Sequence, residues 1–225
     1  MNQLSIMQWN ACSLNDSRQR ELEEKCNASN IDVIVICEAR MKKKLKGFDD
    51  YLQFVNNDTL LLVNRRLQFE EVAQYRIEHK ESVETIAISV EDCLIIGAYC
   101  RNGQKADGIR ELMKIVQWTK ILYKNVCIIG DLNARSTMVY DVPNTANTAG
   151  RELSTWLENE TLYCLNDGVH TFQRPNQTSS VLDLCLVSQD MMSLCQSFAV
   201  KDWFDSDHKP IVCVFGMSTS PTKQS

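Results

Sequence analysis

The segment VCIIGDLNAR, residues 126–135, sets a pattern that recurs along the chain. Its first half, 126–130, is an unbroken apolar run of the kind that forms a strand covered on both faces. The run gives way to Asp131, Asn133 and Arg135, and then to a polar stretch, 134–148, with little periodicity, which reads as a long functional loop. Outward from there the arrangement repeats. Asn10 follows the strand-like run 4–9, Glu38 follows 31–37, and Tyr99 closes 93–99. Asp207 and His208 stand just before the last run, 210–215. Ends of neighbouring strands lie about 5 Å apart per step, so these residues can meet in one pocket.

The other segments fit the same frame. Residues 17–29 read as a polar helix capped by Asp16 or Ser17, and helical periodicity returns at 106–122 and 150–159. Short strand candidates at 50–55, 59–63, 72–77, 82–90 and 93–99 suggest an antiparallel meander, with further strands at 162–165 and 181–187. Strands outnumber helices and no internal repeat is evident. The expectation is an α+β protein in which two packed, mostly antiparallel sheets are flanked by helices. Residues 1–217 are read as one domain and 218–225 as a disordered tail or linker.

Composition bounds the function. The 225 residues are 44% hydrophobic and 24% charged, enough for one sizeable core. Eight Gly and four Pro exclude a collagen-like or linker-dominated chain, and no apolar stretch approaches the roughly 20 residues of a membrane span. Cys37, Cys93, Cys100, Cys127, Cys185 and Cys213 lie in or beside apolar runs without a Cys-x-x-Cys pair, so they read as reduced core residues of an intracellular protein. The start, MNQLSIMQWN, has no basic-then-apolar leader. The formal net charge of -5 argues against a surface that is basic all over.

Taken singly, the polar residues after the strands have bland readings: Asn10 as a turn residue, Glu38 as a surface charge, Asp131 and Asn133 as an Asx turn, Tyr99 as a core aromatic. Asp183 is different, because it interrupts the apolar run VLDLCLV, where a carboxylate needs a partner. His208, one of three histidines, supplies one, and a buried carboxylate beside it would fix its tautomer and raise its basicity. His79 and His170 sit in polar turns without such a setting.

The ordered set Trp9-Asn10, Glu38, Tyr99, Gly130-Asp131-Leu132-Asn133, Thr171-Phe172, Ser180-Val181-Leu182-Asp183 and Ser206-Asp207-His208 resembles the endonuclease/exonuclease/phosphatase superfamily across almost the whole chain. Within it, GDLNA (130–134), NTAGREL (147–153), LNDG (165–168), Thr171-Phe172 and SSVLDL (179–184) look like the endonuclease domain of retrotransposons without long terminal repeats. The resemblance implies a four-layer α/β sandwich of the deoxyribonuclease-I type. It also implies an enzyme that nicks double-stranded target DNA, so that the exposed 3′ hydroxyl primes reverse transcription by a covalently linked reverse transcriptase, inside the cell and in the nucleus. Two departures stand out. Cys12 occupies a place where abasic-site enzymes often carry an acid, and Val139-Tyr140 replaces the Trp-Gly pair of many retrotransposon domains.

Phosphodiester hydrolysis needs an activated water, neutralisation of charge developing on phosphate, and help for the leaving group. Glu38 is the chosen ligand for a hard cation, with Asn10 and Asp207 near it. Magnesium suits an oxygen-rich site, manganese is its natural substitute, and zinc is disfavoured by the lack of clustered Cys and His. His208, held by Asp183, either polarises the phosphate or serves as base, and Asp131 is the other candidate for activating water. Asn133 and Tyr99 are expected to contact phosphate, with Thr171, Ser180 and Ser206 assisting on the strength of the resemblance. Arg40, Lys42, Lys43, Lys44 and Lys46 after Glu38, Arg101 and Lys105 after Tyr99, Arg135 after Asn133 and Arg174 after Thr171 form an expected basic rim for the DNA backbone, whereas Glu21, Glu23, Glu24, Glu70, Glu71 and Glu84 are placed away from it. An abasic-site repair endonuclease, a phosphoinositide or sphingomyelin phosphodiesterase, and a catalytically dead binding module are the alternatives.

Overall fold

The computed structural model describes residues 3–41, 43–75, 82–141, 145–176 and 178–217. His79, Lys42 and the expected tail at 218–225 lie outside the described residues. In chain order the elements are β1 (Gln3–Asn10), α1 (Asp16–Ser29), β2 (Val33–Cys37), β3 (Tyr51–Asn56), β4 (Thr59–Asn64), β5 (Phe69–Glu71), β6 (Val83–Val90), β7 (Cys93–Cys100), α2 (Lys105–Leu122), β8 (Asn125–Asp131), α3 (Thr148–Asn159), β9 (Leu162–Cys164), β10 (Asp183–Ser188), α4 (Gln189–Leu194), β11 (Cys195–Val200) and β12 (Ile211–Gly216). They form two six-stranded sheets, ordered β11-β12-β1-β2-β4-β3 and β5-β6-β7-β8-β10-β9.

At the centre of each sheet is a parallel pair, β1 with β2 and β7 with β8, joined by α1 and α2 respectively. The remaining pairs are antiparallel. The expected meander over 50–99 is therefore corrected. Residues 51–64 form a hairpin in the first sheet and residues 69–100 a three-stranded run in the second. The strand placed at 72–77 is corrected too: pairing stops at Glu71 and a 3-10 turn follows at Ala73–Tyr75.

Both sheets are covered on both faces, which is why β2 and β8 are buried along their whole length rather than alternating. Leu4, Ile6, Val33, Val35, Ile95, Cys127, Ile129 and Phe215 pack between the sheets. Met7, Trp9, Ile34 and Ile36 on the outer face of the first sheet pack with Leu22 and Cys26 of α1. The outer face of the second sheet packs with Ile109, Leu112 and Val116 of α2 and Leu153 and Trp156 of α3. All ten cysteines are free, and the six assigned to the core are buried. No described helix is long and apolar enough to cross a membrane.

Helix ends follow side-chain chemistry. Asn15, rather than Asp16 or Ser17, caps α1, its side chain accepting from the Ser17 and Arg18 N–H groups. Asn30 ends the helix in the left-handed region at φ 50°. Asn147 caps α3 by accepting from the Gly150 N–H at 2.7 Å, and its amide also donates to the Asn133 carbonyl at 2.8 Å, which ties that helix to the loop after β8.

Candidate active site

Strand register gathers the polar residues. β1 and β2 run parallel with Asn10 opposite Cys37, so Glu38 emerges beside Asn10. β7 and β8 run parallel with Tyr99 opposite Asp131. β10 runs antiparallel to β8 and sets Asp183 directly across from Asp131. Gly130 is required by the approach of β7, since a Cβ there would lie 1.7 Å from the Ala98 carbonyl oxygen. Glu38 sits at φ 50° and Asn133 also at φ 50°, so both turn the chain at the mouth of the site in the left-handed region.

The side chains form one hydrogen-bonded array. The Asn10 amide donates to Asp131 Oδ2 at 2.8 Å and to Glu38 Oε1 at 3.1 Å, bridging the sheets. Tyr99 donates its hydroxyl to the same Glu38 oxygen at 3.0 Å. Asp131 Oδ1 accepts from the Asn133 N–H at 3.0 Å, and the Asn133 amide donates to the Cys100 carbonyl at 2.8 Å. His208 Nδ1 lies 2.7 Å from Asp183 Oδ2 with both residues buried, and Phe172 packs on the imidazole with ring centroids 4.8 Å apart. One ligand atom from each of Asp131, Asp183 and His208 lies within 4.8 Å of the others, so this group can hold a metal ion. A cavity of about 490 Å³ opens onto Glu38, Asp131, Asn133, Arg135, Ser180 and His208.

The electrostatics separate the two groups that the sequence left unranked. Burial pushes the Asp131 carboxyl up to about 7, helped by the charge of Asp183 and opposed by His208 and by the hydrogen bonds from Asn10 and Asn133. Burial pulls His208 down, but the charge and hydrogen bond of Asp183 outweigh it and leave the imidazole at about 9. Tyr99 is raised above its ordinary range by burial and by Glu38, so its hydroxyl remains a donor.

Several sequence expectations change. Asp207, expected beside Glu38, has its carboxylate 2.5 Å from Arg174 Nε and 3.5 Å from the Ser206 hydroxyl. Arg101 does not stand free on a rim: it pairs with the fully buried Glu84 and with Asp58, and its guanidinium lies 5.7 Å from the centre of the Tyr99 ring. Glu84, grouped with the acids away from that rim, is instead the buried partner of one of its cations. Arg135 lines the cavity while its Nε donates to the buried Asp141 at 3.1 Å. Thr171 is buried, and its hydroxyl accepts from the Leu182 and Asp183 N–H groups at 3.0 Å each, so it holds the start of β10 rather than contacting a ligand. Ser180 lines the cavity, and Ser206 accepts from the His208 N–H at 3.3 Å. Lys43 and Lys44 are exposed on a second cleft of about 550 Å³ between α1 and the loop after Glu38, which also holds Arg20, Arg40 and Lys46 together with Asp16 and Glu23, so the expectation that Glu23 lies away from the basic rim is corrected.

Residues 93–212 match the family model described as endonuclease-reverse transcriptase. The chain belongs to that family. The endonuclease-reverse transcriptase match runs from the first residue of β7 into β12 and so includes Asp131, Asp183 and His208. The endonuclease domain of TRAS1, a telomere-specific non-LTR retrotransposon, is similar in structure with 18% identity and a TM-score of 0.75, covering 95% of this chain and 98% of that one. The 3′ phosphatase NExo from Neisseria bound to a product DNA hairpin matches at 18% identity and TM-score 0.74, covering 95% and 100%. An AP endonuclease from Archaeoglobus fulgidus matches at 15% identity and TM-score 0.75, covering 95% and 100%. No curated protein matches by sequence. These likenesses agree with the two-sheet, helix-flanked architecture of the endonuclease/exonuclease/phosphatase superfamily, and the family membership makes the chain a nuclease.

Gln8 carries weight that sequence reasoning did not assign to it, whereas Arg174 stands where the basic rim was expected. Gln8 is fully buried and donates to Asp183 Oδ1 at 2.8 Å. Arg174 lines the cavity, pairs with Asp207 and lies over the Phe172 ring at 5.1 Å. The signal for Gln8 was a long polar side chain inside the strand-like run LSIMQW.

Proposed function

We propose that this nuclease domain nicks double-stranded target DNA in a magnesium-dependent reaction, with manganese able to substitute, and leaves a 3′ hydroxyl that primes reverse transcription in retrotransposition. The observation that carries the proposal is the meeting, on one cavity, of Asp131 with the His208 imidazole, whose Nδ1 lies 2.7 Å from the buried Asp183 carboxylate. The donor set is oxygen-rich, as a hard cation requires: the Asn10 amide nitrogen bridges the carboxylates of Glu38 and Asp131 while its oxygen accepts from the Cys12 N–H, Tyr99 donates to one Glu38 oxygen and Arg40 pairs with the other. Glu38 and Asn10 would hold the ion, which when bound would offset negative charge on the phosphate.

The chain's own groups then divide the work. Asp131, its carboxyl raised by burial, takes the proton from the attacking water as the water oxygen bonds to phosphorus and the P–O3′ bond breaks, the leaving 3′ oxygen taking a proton from solvent. His208, as imidazolium, donates from Nε2 to a phosphate oxygen while Asp183 holds Nδ1. Tyr99 and Asn133 complete the polar wall. Lys43 and Lys44 meet the DNA backbone beyond the cut, and Arg135 contributes from the cavity wall. The full reading places the domain in a longer polyprotein with a reverse transcriptase, acting in the nucleus; the family description and the likeness to the TRAS1 domain support it.

Conversion of supercoiled plasmid to nicked circles tests the proposal. Wild-type protein is expected to nick intact duplex with magnesium and not with EDTA, and the nicks should be extendable by a polymerase. Asp131→Ala and His208→Ala should each lower the rate by about 10²-fold or more while the domain stays folded. A folded His208→Ala protein with wild-type rates would overturn the assignment, and cutting confined to abasic duplex, or phosphate release from inositol lipids, would move the chain to another branch of the superfamily.

A further inference from the structure

Residues 4, 6, 8 and 10 of β1 share the face that looks toward the second sheet, and their chemistry changes along it. Leu4 and Ile6 lie in the inter-sheet core, whereas Gln8 and Asn10 are amides that each donate at 2.8 Å to an aspartate of the other sheet. Asn10 takes Asp131 and Gln8 takes Asp183, and those two aspartates are directly opposed across β8 and β10.

We infer that Gln8 is a positioning residue that locks the Asp183 carboxylate so that its other oxygen faces His208 Nδ1. Gln8 Nε2 donates to Asp183 Oδ1, while His208 Nδ1 sits 2.7 Å from Oδ2, so rotation of the carboxylate would break both contacts. The amide orientation is set by charge, because the reverse would point its oxygen at a carboxylate. Gln8 Oε1, fully buried, has no hydrogen-bond partner among the described residues, and an orphaned buried acceptor destabilises a fold. As an element of the core Gln8 is thus inferior to an apolar side chain of its size. What it supplies is a donor aimed at Asp183. Gln8 does not line the cavity, so it acts through Asp183 and His208 and not on substrate.

The inference rests on the reading of Asp183 and His208 as a working pair, and its test separates the two. Gln8→Met keeps the volume and removes both the donor and the orphaned oxygen, and Gln8→Glu replaces the donor with a second carboxylate. Both are compared with wild type by thermal unfolding, by the imidazole N–H signal of His208 in nitrogen-15 NMR of metal-free protein, and by plasmid nicking. For Gln8→Met we expect an unfolding midpoint at or above wild type, a displaced or lost His208 Nδ1–H signal, and kcat lower by about 10-fold or more at unchanged KM. Gln8→Glu should be slower still. An unchanged His208 signal and unchanged kcat overturn the role of Gln8 while losses in Asp131→Ala and His208→Ala leave the proposed function standing. A changed signal with unchanged kcat overturns the working pair itself, and lower stability with an unchanged signal reduces Gln8 to core packing.

Discussion

His208 and Asp131 both bind protons more tightly in the folded chain than in the unfolded one, and this has a consequence for stability. His208 is raised from 6.5 to about 9, so the stability it contributes is fully present below pH 6.5 and is lost as pH rises through 9. Asp131 is raised from 3.8 to about 7, so the folded state is penalised as pH climbs through that window and the unfolded carboxyl ionises first. The signs agree. Metal-free protein is expected to lose thermal stability steadily from pH 5 to pH 9, with Asp131→Asn flattening the lower part of the curve and His208→Gln the upper part. At this scale the sequence exposed the residues that follow apolar runs, because a polar side chain at the end of a buried strand stands out locally. It exposed one pairing across the sheets, His208 with Asp183, because a carboxylate inside an apolar run needs a partner, but not the partners of Arg101 and Gln8. Arg101 looked like a rim cation because its partner Glu84 is 17 positions away on β6, and Gln8 looked incidental because Asp183 is 175 positions away.

Between β7 and β8 the close approach at Gly130 is a property of elements rather than of single side chains. Gly130→Ala would set a methyl group against the Ala98 carbonyl and push β8 from β7, shifting Asp131 relative to Tyr99. Its expected cost is about 1–3 kcal/mol, read as a lower denaturant midpoint, with nicking reduced more than the folded fraction. A second element-scale prediction concerns Thr171, whose hydroxyl takes two backbone N–H groups at the entry to β10. Thr171→Val leaves both buried donors unpaired and should cost about 1–3 kcal/mol in chemical denaturation, whereas Thr171→Ser should be milder. Strand positions were legible because both sheets are sandwiched and their runs are nearly all apolar. The short helix α4 and the edge strand β11 were not, since residues 189–200 are short, partly exposed and weakly patterned.

For the whole molecule, the net charge of -5 says less than its placement. Lys43, Lys44, Lys46, Arg20 and Arg40 share one cleft near Glu38, whereas Glu84 is spent internally on Arg101. DNA affinity is accordingly expected to fall steeply with salt, and Lys43→Ala and Lys44→Ala should each lower the slope of log affinity against log salt by about 1 without changing which sequences are cut. The division of the chain between the sheets was hidden from local patterns. The second sheet is built from one continuous stretch, β5 to β10, while the first is begun by β1 to β4 and completed only by β11 and β12. β1 is thereby paired along its length with β12, Gln3 facing Gly216. A chain emerging from the ribosome consequently carries Asn10, Glu38, Tyr99 and Asp131 long before it carries His208, and its first strand, paired with β2, waits until residues 211–216 are made to gain β12. The nuclease domain is timed by its own topology: a product stalled or truncated before residue 208 has Asn10, Glu38, Tyr99 and Asp131 but no finished cutting centre, and competence arrives only once β12 has been made.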